Sequence, residues 1–476
     1  MSVRSVFSLD LNAIRMKTPS SSSYVPPYPR PLPALLGLLR AVKDRQGDLL
    51  GLLPDYAYHR DIGPLGYSRR SIIIANRPDL VRTIMIDKVD RFPKSDLMVN
   101  AVEPLIGDSI FTSSGETWRR QRAMIDPAFS AMRINHAFGF MKAAIDDQEI
   151  DLDRAALERR RLSLDVTMSH LTADVICRTV FSTTLKSQIA HEIFDDFTLF
   201  ERSVAEVEIK RLIWDKAWTK APQKPDVLAA CQRIRARLGE LIDNHLGENA
   251  ELYDDMARTV IEARDPENGT RFTRDELIDE LGVFFLAGHE TTASALTWAF
   301  YIVASRPDVA AKIRAEVRNI AGDGDIDIGH TKRLIYTRNV FRETLRLYPP
   351  ITFLPRVAET ACPLGKKNIK KGALVMVAPW ALHRHRRFWK EPNTFDPDRF
   401  LPEREGELTP GAYIPFGQGP RICAGAAFAT IESVLILARL VRRYEFKLIE
   451  GEKVRPAARM TTRPRSQVFF HVERCA

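Results

Sequence analysis

Residues 416–429 read FGQGPRICAGAAFA, and this stretch decides the fold. Cys423 stands among Gly417, Gly419 and Gly425, just ahead of a helix-forming run from Ala426 to Arg443. A thiolate that binds a metal needs a sheltered, donor-rich setting, and backbone amides supply one only where side chains step aside. Gly417 and Gly419 permit the positive φ and close approach that such a loop requires. A helix starting right after Cys423 aims its positive end at the sulfur and favours the anion. Phe416 is placed to close one side against water, and Arg421 to pair with an acidic group. An isolated Cys-x-Gly reads as a buried structural cysteine beside a turn. The full spacing Phe-Gly-x-Gly-x-Arg-x-Cys-x-Gly, with Ala429 behind it, is far more restrictive.

The chain has 476 residues, 45% of them hydrophobic and 28% charged. Those proportions are those of a soluble globular protein able to bury a large core. A formal net charge of +9 asks for an acidic partner. Lys and Arg are spread along the chain among Asp and Glu without a dense basic tract, which argues against nucleic acid and for a basic docking face. Five scattered cysteines, an odd number without paired spacing, argue for a reducing cytoplasm and against a disulfide framework or zinc site. No segment reaches the roughly 18–20 uninterrupted apolar residues of a membrane span. The start, MSVRSVFSLDLNAIRMK, has neither a signal-peptide core nor a cleavage site.

Residues 1–34 are Ser- and Pro-rich and are expected to run extended as an N-terminal arm, with one domain over 35–476. Helical spacing follows over Leu35–Leu53 and Pro78–Asp87, with a strand-like run at 70–75 between them. Trp118 and Arg122 stand four apart and share one helix face, which alone reads as an amphipathic surface turn. Thr273 and Glu276 form a capping box that starts a helix at about 274, running to about Ala304 before Pro307. At 1.5 Å per residue that helix spans about 45 Å. Its centre, Phe284-Phe285-Leu-Ala287-Gly288-His289-Glu290-Thr291-Thr292, holds poor choices for a buried helix, and a broken rule there suggests function. Threonine can replace a backbone bond and open a local bulge; a glycine lets a flat cofactor lie close. Glu343 and Arg346, three apart on a helix ending at Pro349, would alone be a surface pair. No Gly-x-Gly-x-x-Gly follows a strand, so no flavin or nicotinamide module is expected. Ala458–Pro464 with Val468–Val472 reads as a closing hairpin.

Together these motifs resemble the cytochrome P450 family, in the family's order and over most of the chain from about residue 30; the resemblance is to a bacterial-type soluble member. It implies a mainly α fold, one cytochrome P450 domain with a small β region. It implies heme b, iron protoporphyrin IX, held by Cys423. Trp118, Arg122 and Arg356 would hold its propionates, Arg421 would pair with an acidic group of the cofactor, and Phe416, Gly425, Ala287 and Gly288 would lie against it. Thr291 would stand at bound oxygen and Glu290 would relay protons. Glu343, Arg346 and Arg399 would form a structural triad beneath the cofactor. Phe111, Phe284, Phe285, Ile351, Phe353 and Met460 are expected to line a pocket for an apolar small molecule. The implied reaction inserts one atom of O2, with electrons from a separate ferredoxin and its reductase, in a cytoplasmic monomer. A heme-thiolate peroxygenase or hydroperoxide isomerase would share the cysteine loop, but such relatives usually lack the acid and alcohol of the long helix. A heme sensor or electron carrier would not need that polar helix centre.

Overall fold

The computed structural model describes residues 24–43, 48–65, 70–204, 223–248, 250–449, 451 and 453–475. The Ser-rich part of the expected arm lies outside them. The fold is mainly α with a small β region. Among the described residues, helices of seven residues or more are α1 (Ala34–Lys43), α2 (Asp96–Ile106), α3 (Gly115–Ile125), α4 (Ala131–Leu157), α5 (Leu164–Phe181), α6 (Gln188–Val204), α7 (Pro225–Leu246), α8 (Met256–Glu262), α9 (Arg274–Ser305), α10 (Pro307–Ala321), α11 (Ile335–Leu347) and α12 (Ala426–Arg443).

The long helix α9 organises the rest. Thr273 and Glu276 cap each other's backbone at its start, and Pro307 opens the next helix. It is apolar nearly all round, the composition of a helix buried on every side. Its most extensive packing is against α5, with α7, α11 and α2 around it. Trp298 is fully buried and donates from Nε1 to Thr462 O at 2.7 Å, which ties the helix to the C-terminal strands.

Four strands, β1 (Ile62–Pro64), β2 (Ile72–Ala75), β7 (Leu374–Val377) and β4 (Leu354–Val357), form one sheet in the order β1-β2-β7-β4. Strands β2 and β7 pair in parallel, and both are wholly buried, as parallel strands usually are. Antiparallel pairing of β4 with β7 sets Arg356 opposite Val375. Strands β5 (Cys362–Leu364) and β6 (Lys367–Ile369) form a separate hairpin.

The C-terminal region differs from the expected hairpin. Strand β9 (Pro456–Ala458) pairs with β10 (Thr462–Pro464). Strand β11 (Phe469–Arg474) leaves that pair to join β8 (Tyr444–Leu448) and β3 (Leu162–Ser163). Pro464 has no N–H to continue a ladder, and β11 buries Phe470 and Val472 on one face. The spacing over Leu35–Leu53 also divides, into α1 and a 3-10 turn at Leu49–Leu52. Pro78–Asp87 becomes a short helix to Arg82 and a wider π turn over Thr83–Asp87.

Candidate active site

A cavity of about 630 Å³ lies between α9, the loop before α12, β4 and the β9–β10 turn, a size usual for small-molecule sites. Cys423 lines it. Gly417 and Gly419 have φ of 75° and 77°, and Cys423 N donates to Phe416 O at 3.0 Å. A Cβ on Gly419 would fall 2.3 Å from Met85 O, so the loop seats against that turn only as glycine. Cys423 is exposed on its cavity side. Protein crowding its other sides raises the thiol pKa more than the Gly425 amide and Arg122 lower it. The expectation that the helix end favours the anion is therefore outweighed by burial, and a bound metal ion must displace the proton.

Cations gather along one edge of the cavity. Arg356 is buried, and burial brings its pKa down to about 10; its Nη1 donates to Pro355 O while Nε has no partner. Arg421 lies over the Trp118 ring at 4.4 Å and donates from Nη2 to Ser113 O, with Nη1 unpartnered. Burial, and then the charge of Arg356, bring its pKa also to about 10. Arg122 lines the cavity too, but it is engaged with Asp126 at 2.6 Å and Ile422 O at 2.7 Å. Lys94, which the sequence reading passed over, joins them. Burial, then Arg421 and Arg356, push its pKa well down, and its Nζ donates to Phe111 O. A buried donor without a partner costs about 1–3 kcal/mol, and planar guanidinium forks suit carboxylates. A cysteine facing the cavity, orphaned cations at its edge and apolar walls elsewhere fit heme and its propionates.

Helix α9 forms the facing wall. Ala287, Gly288, Glu290 and Thr291 all line the cavity. The expected bulge is not there: α9 runs unbroken, and Thr291 Oγ1 donates to Ala287 O at 2.8 Å. The bare side of Gly288 faces Ile176 of α5, where a Cβ would fall 2.5 Å from Cδ1, so a larger residue there would have to push the Ile176 side chain aside. Glu290 is buried and ion-paired with Arg463, whose Nε is 3.0 Å from Oε1, and it accepts from Thr461 Oγ1 at 2.5 Å. Burial alone would raise its pKa; Arg463, His289 and Thr461 outweigh that and bring it below the ordinary value. Arg463 and its neighbour Glu201 were not singled out from sequence, since no motif joins segments so far apart.

Phe111, Phe284, Ile351, Phe353 and Met460 line the cavity, as Phe416 and Gly425 do. Phe285 does not, and its place in the pocket is corrected. It is buried against Phe197 and His289, because consecutive helix positions point about a quarter-turn apart. Glu343, Arg346 and Arg399 lie apart from the cavity. Arg346 Nε reaches Glu343 Oε2 at 2.7 Å and Arg399 Nε reaches Oε1 at 3.2 Å, all buried.

The sequence profile of the family described as Cytochrome P450 matches residues 26–470. Cyclooctatin synthase of Streptomyces melanosporofaciens is 32% identical over 87% of this chain and 88% of its own. Cyclooctat-9-en-7-ol 5-monooxygenase of the same organism is 31% identical over 88% of each. Arabidopsis thaliana LUTEIN DEFICIENT 5 is 30% identical over 91% of this chain and 74% of its own. Among solved structures, the heme domain of cytochrome P450DA superposes with a TM-score of 0.80 at 22% identity, covering 95% of this chain and 98% of its own. No helix among the described residues is long and apolar enough to cross a membrane. A cavity with a cysteine on one wall and a polar helix centre on another, joined to this likeness along the whole chain, assigns the protein to the cytochrome P450 family, as a monooxygenase that uses a heme cofactor.

Proposed function

We propose that the protein binds heme b through Cys423 and inserts one oxygen atom from O2 into an apolar small molecule, with electrons from a separate ferredoxin-type donor. The observation that carries this reading is the position of Cys423 in an apolar cavity whose wall includes the Glu290–Thr291 pair. Heme, when bound, supplies the one-electron chemistry by which oxygen is activated. Arg356, Arg421, Lys94, Trp118 and Arg122 hold and orient its carboxylates. Phe111, Phe284, Ile351, Phe353 and Met460 exclude water and hold an apolar substrate. Thr291 Oγ1 presents its lone pairs to the cavity while its proton is held by Ala287 O, and it donates to a ligand only by giving up that bond; the Glu290 carboxylate beside it accepts and returns protons. The names of the relatives cyclooctatin synthase and cyclooctat-9-en-7-ol 5-monooxygenase are in keeping with a small-molecule substrate. A single heme domain over 35–476, working as a cytoplasmic monomer, completes the proposal.

The test uses full-length protein loaded with heme. Its reduced carbon-monoxide spectrum is expected to carry the thiolate band, and Cys423→Ala to lose it. A compound library screened by Soret shift, followed by turnover with ferredoxin, its reductase and reduced nicotinamide, is expected to yield an oxygenated product. Product formed only with peroxide, and none with ferredoxin, its reductase and reduced nicotinamide, would overturn the monooxygenase reading for this chain. An unchanged carbon-monoxide spectrum in the alanine variant would overturn the ligand assignment.

A further inference from the structure

Behind the cavity wall lies a second carboxyl that the reaction as described does not use. Glu201, in the last turn of α6, approaches α9 from outside. Its carboxyl lies close enough to Glu290 for the charge of one to act on the other, and its Oε1 stands 3.6 Å from His289 Nε2 without a hydrogen-bond partner. The carboxyl and imidazole atoms of Glu201, His289 and Glu290 lie within 4.8 Å of one another. Glu201's side chain is 20% exposed, whereas Glu290's is 7%. The pair therefore runs from the partly solvated side of α6 to the cavity wall.

The hydrogen-bond arithmetic fixes where the proton sits. Arg463 spends Nε and Nη2 on Glu290 and Nη1 on Asp165, at 2.6 Å. His289 Nδ1 is 2.8 Å from Phe285 O and must carry the ring proton there, which leaves Nε2 an acceptor. Burial keeps that ring neutral by lowering its pKa. Glu201 is thus set among acceptors, a carboxylate and an imidazole lone pair. Glu290 and Asp165 take the donors of Arg463, so Glu201 is the one carboxyl of the three without an ion pair to it, and it is the one that keeps a proton. Burial, and then the negative charge of Glu290, raise its pKa well above normal, which agrees. The three side chains also meet the spacing of a cation site, but Arg463 already supplies the positive charge at Glu290.

We propose that Glu201 is a positioning residue that holds a proton against Glu290, donates it from its carboxylic acid to the Glu290 carboxylate, and is reprotonated from solvent at its exposed side. The transfer breaks one O–H bond on Glu201 and forms one on Glu290; Glu290 then gives that proton up to the cavity, and uptake of one proton from solvent by Glu201 restores both groups to their starting state. The inference rests on the reading of Glu290 as a proton carrier, so the test separates the two.

The experiment compares heme-loaded wild type, Glu201→Gln and Glu290→Gln. Infrared spectra in H2O and D2O are expected to show protonated carboxylic acid in the wild type. Glu280 and Glu432, whose pKa values burial also raises, contribute to that band in all three proteins. A component lost only in Glu201→Gln assigns the proton, and this readout needs no turnover. A band unchanged by Glu201→Gln overturns the proposal. In turnover, Glu201→Gln is expected to slow product formation about 10- to 100-fold, at or below the usual range for general acid catalysis, with a larger solvent isotope effect. The alkaline limb of the wild-type pH profile, where Glu201 loses its proton, should also disappear. If Glu290→Gln slows turnover and Glu201→Gln does not, this inference falls and the role of Glu290 stands. If neither slows it, both fall.

Discussion

A methyl group at position 419 has nowhere to go. The residue has φ of 77°, and its Cβ would overlap Met85 O at 2.3 Å, a backbone atom that cannot swing aside. At Gly417, φ is 75° but the nearest atom to a Cβ is Met85 Cε at 3.7 Å, the flexible end of a side chain. Gly417→Ala should therefore cost only the left-handed backbone strain, about 1–2 kcal/mol. Gly419→Ala adds the clash and should displace the loop that carries Cys423. The measurement is thermal midpoint together with heme content at saturation. Equal losses in the two variants would refute the distinction. These glycines were legible in the sequence because a tight cysteine loop demands positive φ and only glycine adopts it cheaply. Lys94 was not, since its neutral-looking setting, Phe92-Pro-Lys-Ser95, belongs to no motif and its burial comes from distant chain. Phe285 failed for the opposite reason: a neighbour of a true cavity residue on a helix faces elsewhere.

On the scale of elements, α11 is held to the irregular segment before α12 by charge buried far from water. Glu343 and Arg346 are fully buried, and Arg346 also donates to His383 O, Pro392 O and Thr394 O. Arg399 donates to Glu343 and to Lys390 O and Glu391 O. Removing the one carboxylate leaves two guanidinium charges uncompensated, about 3–5 kcal/mol, a large part of the stability of an ordinary domain. Glu343→Ala is expected to give little folded protein, and Glu343→Gln an intermediate yield; wild-type stability in the alanine variant would refute the argument. His383, in the same layer, makes the assembly sensitive to acid. Burial, and then the charges of Arg346 and Arg384, take its pKa from 6.5 to about 3, and Nε2 accepts from Ile414 N at 2.9 Å. A folded pKa below the unfolded one means that the unfolded chain takes up the proton first. The stability is therefore complete above pH 6.5 and is lost as pH falls towards about 3. Within that window one proton corresponds to about 1.4 kcal/mol per pH unit. His383→Gln should flatten that part of the denaturant-midpoint profile by one proton, and an unchanged slope would exclude His383. Spacing within one helix made the Glu343–Arg346 pair readable. That His383 would be buried among arginines was not, because its partners are joined only by the tertiary fold. Strand β11 was misplaced for the same reason, since its pairing with β8 depends on which face the whole sheet buries.

For the whole molecule, the net charge of +9 becomes informative only once it is distributed over the surface. The cysteine loop seats Gly419 against the turn at Met85, and Arg122 of α3 donates to Ile422 O beside Cys423. The turn at Met85 that seats Gly419 is flanked by exposed Arg82 and Arg91, and α3 adds exposed Arg119. Arg82 pairs with Asp87 at 3.3 Å and Arg119 with Asp90 at 3.2 Å, but both pairs are solvent-exposed. Exposed pairs contribute about 0–1 kcal/mol and open readily for a partner that offers several carboxylates at once. An acidic electron donor approaching this face would be steered by the arginines, and the steering acts on association rate more than on affinity. Reduction of the protein by a ferredoxin, followed by stopped flow, should slow as salt rises and the screening length contracts to about 8 Å at 0.15 M. Arg119→Glu should lower the second-order rate constant by about tenfold at low salt, within the usual range of electrostatic steering. It should lose most of that difference at high salt and leave the substrate-induced Soret shift unchanged. Reduction that is indifferent to salt and to the charge at position 119 would move the docking site away from the cysteine loop, even with the oxygen-activating cavity left as described.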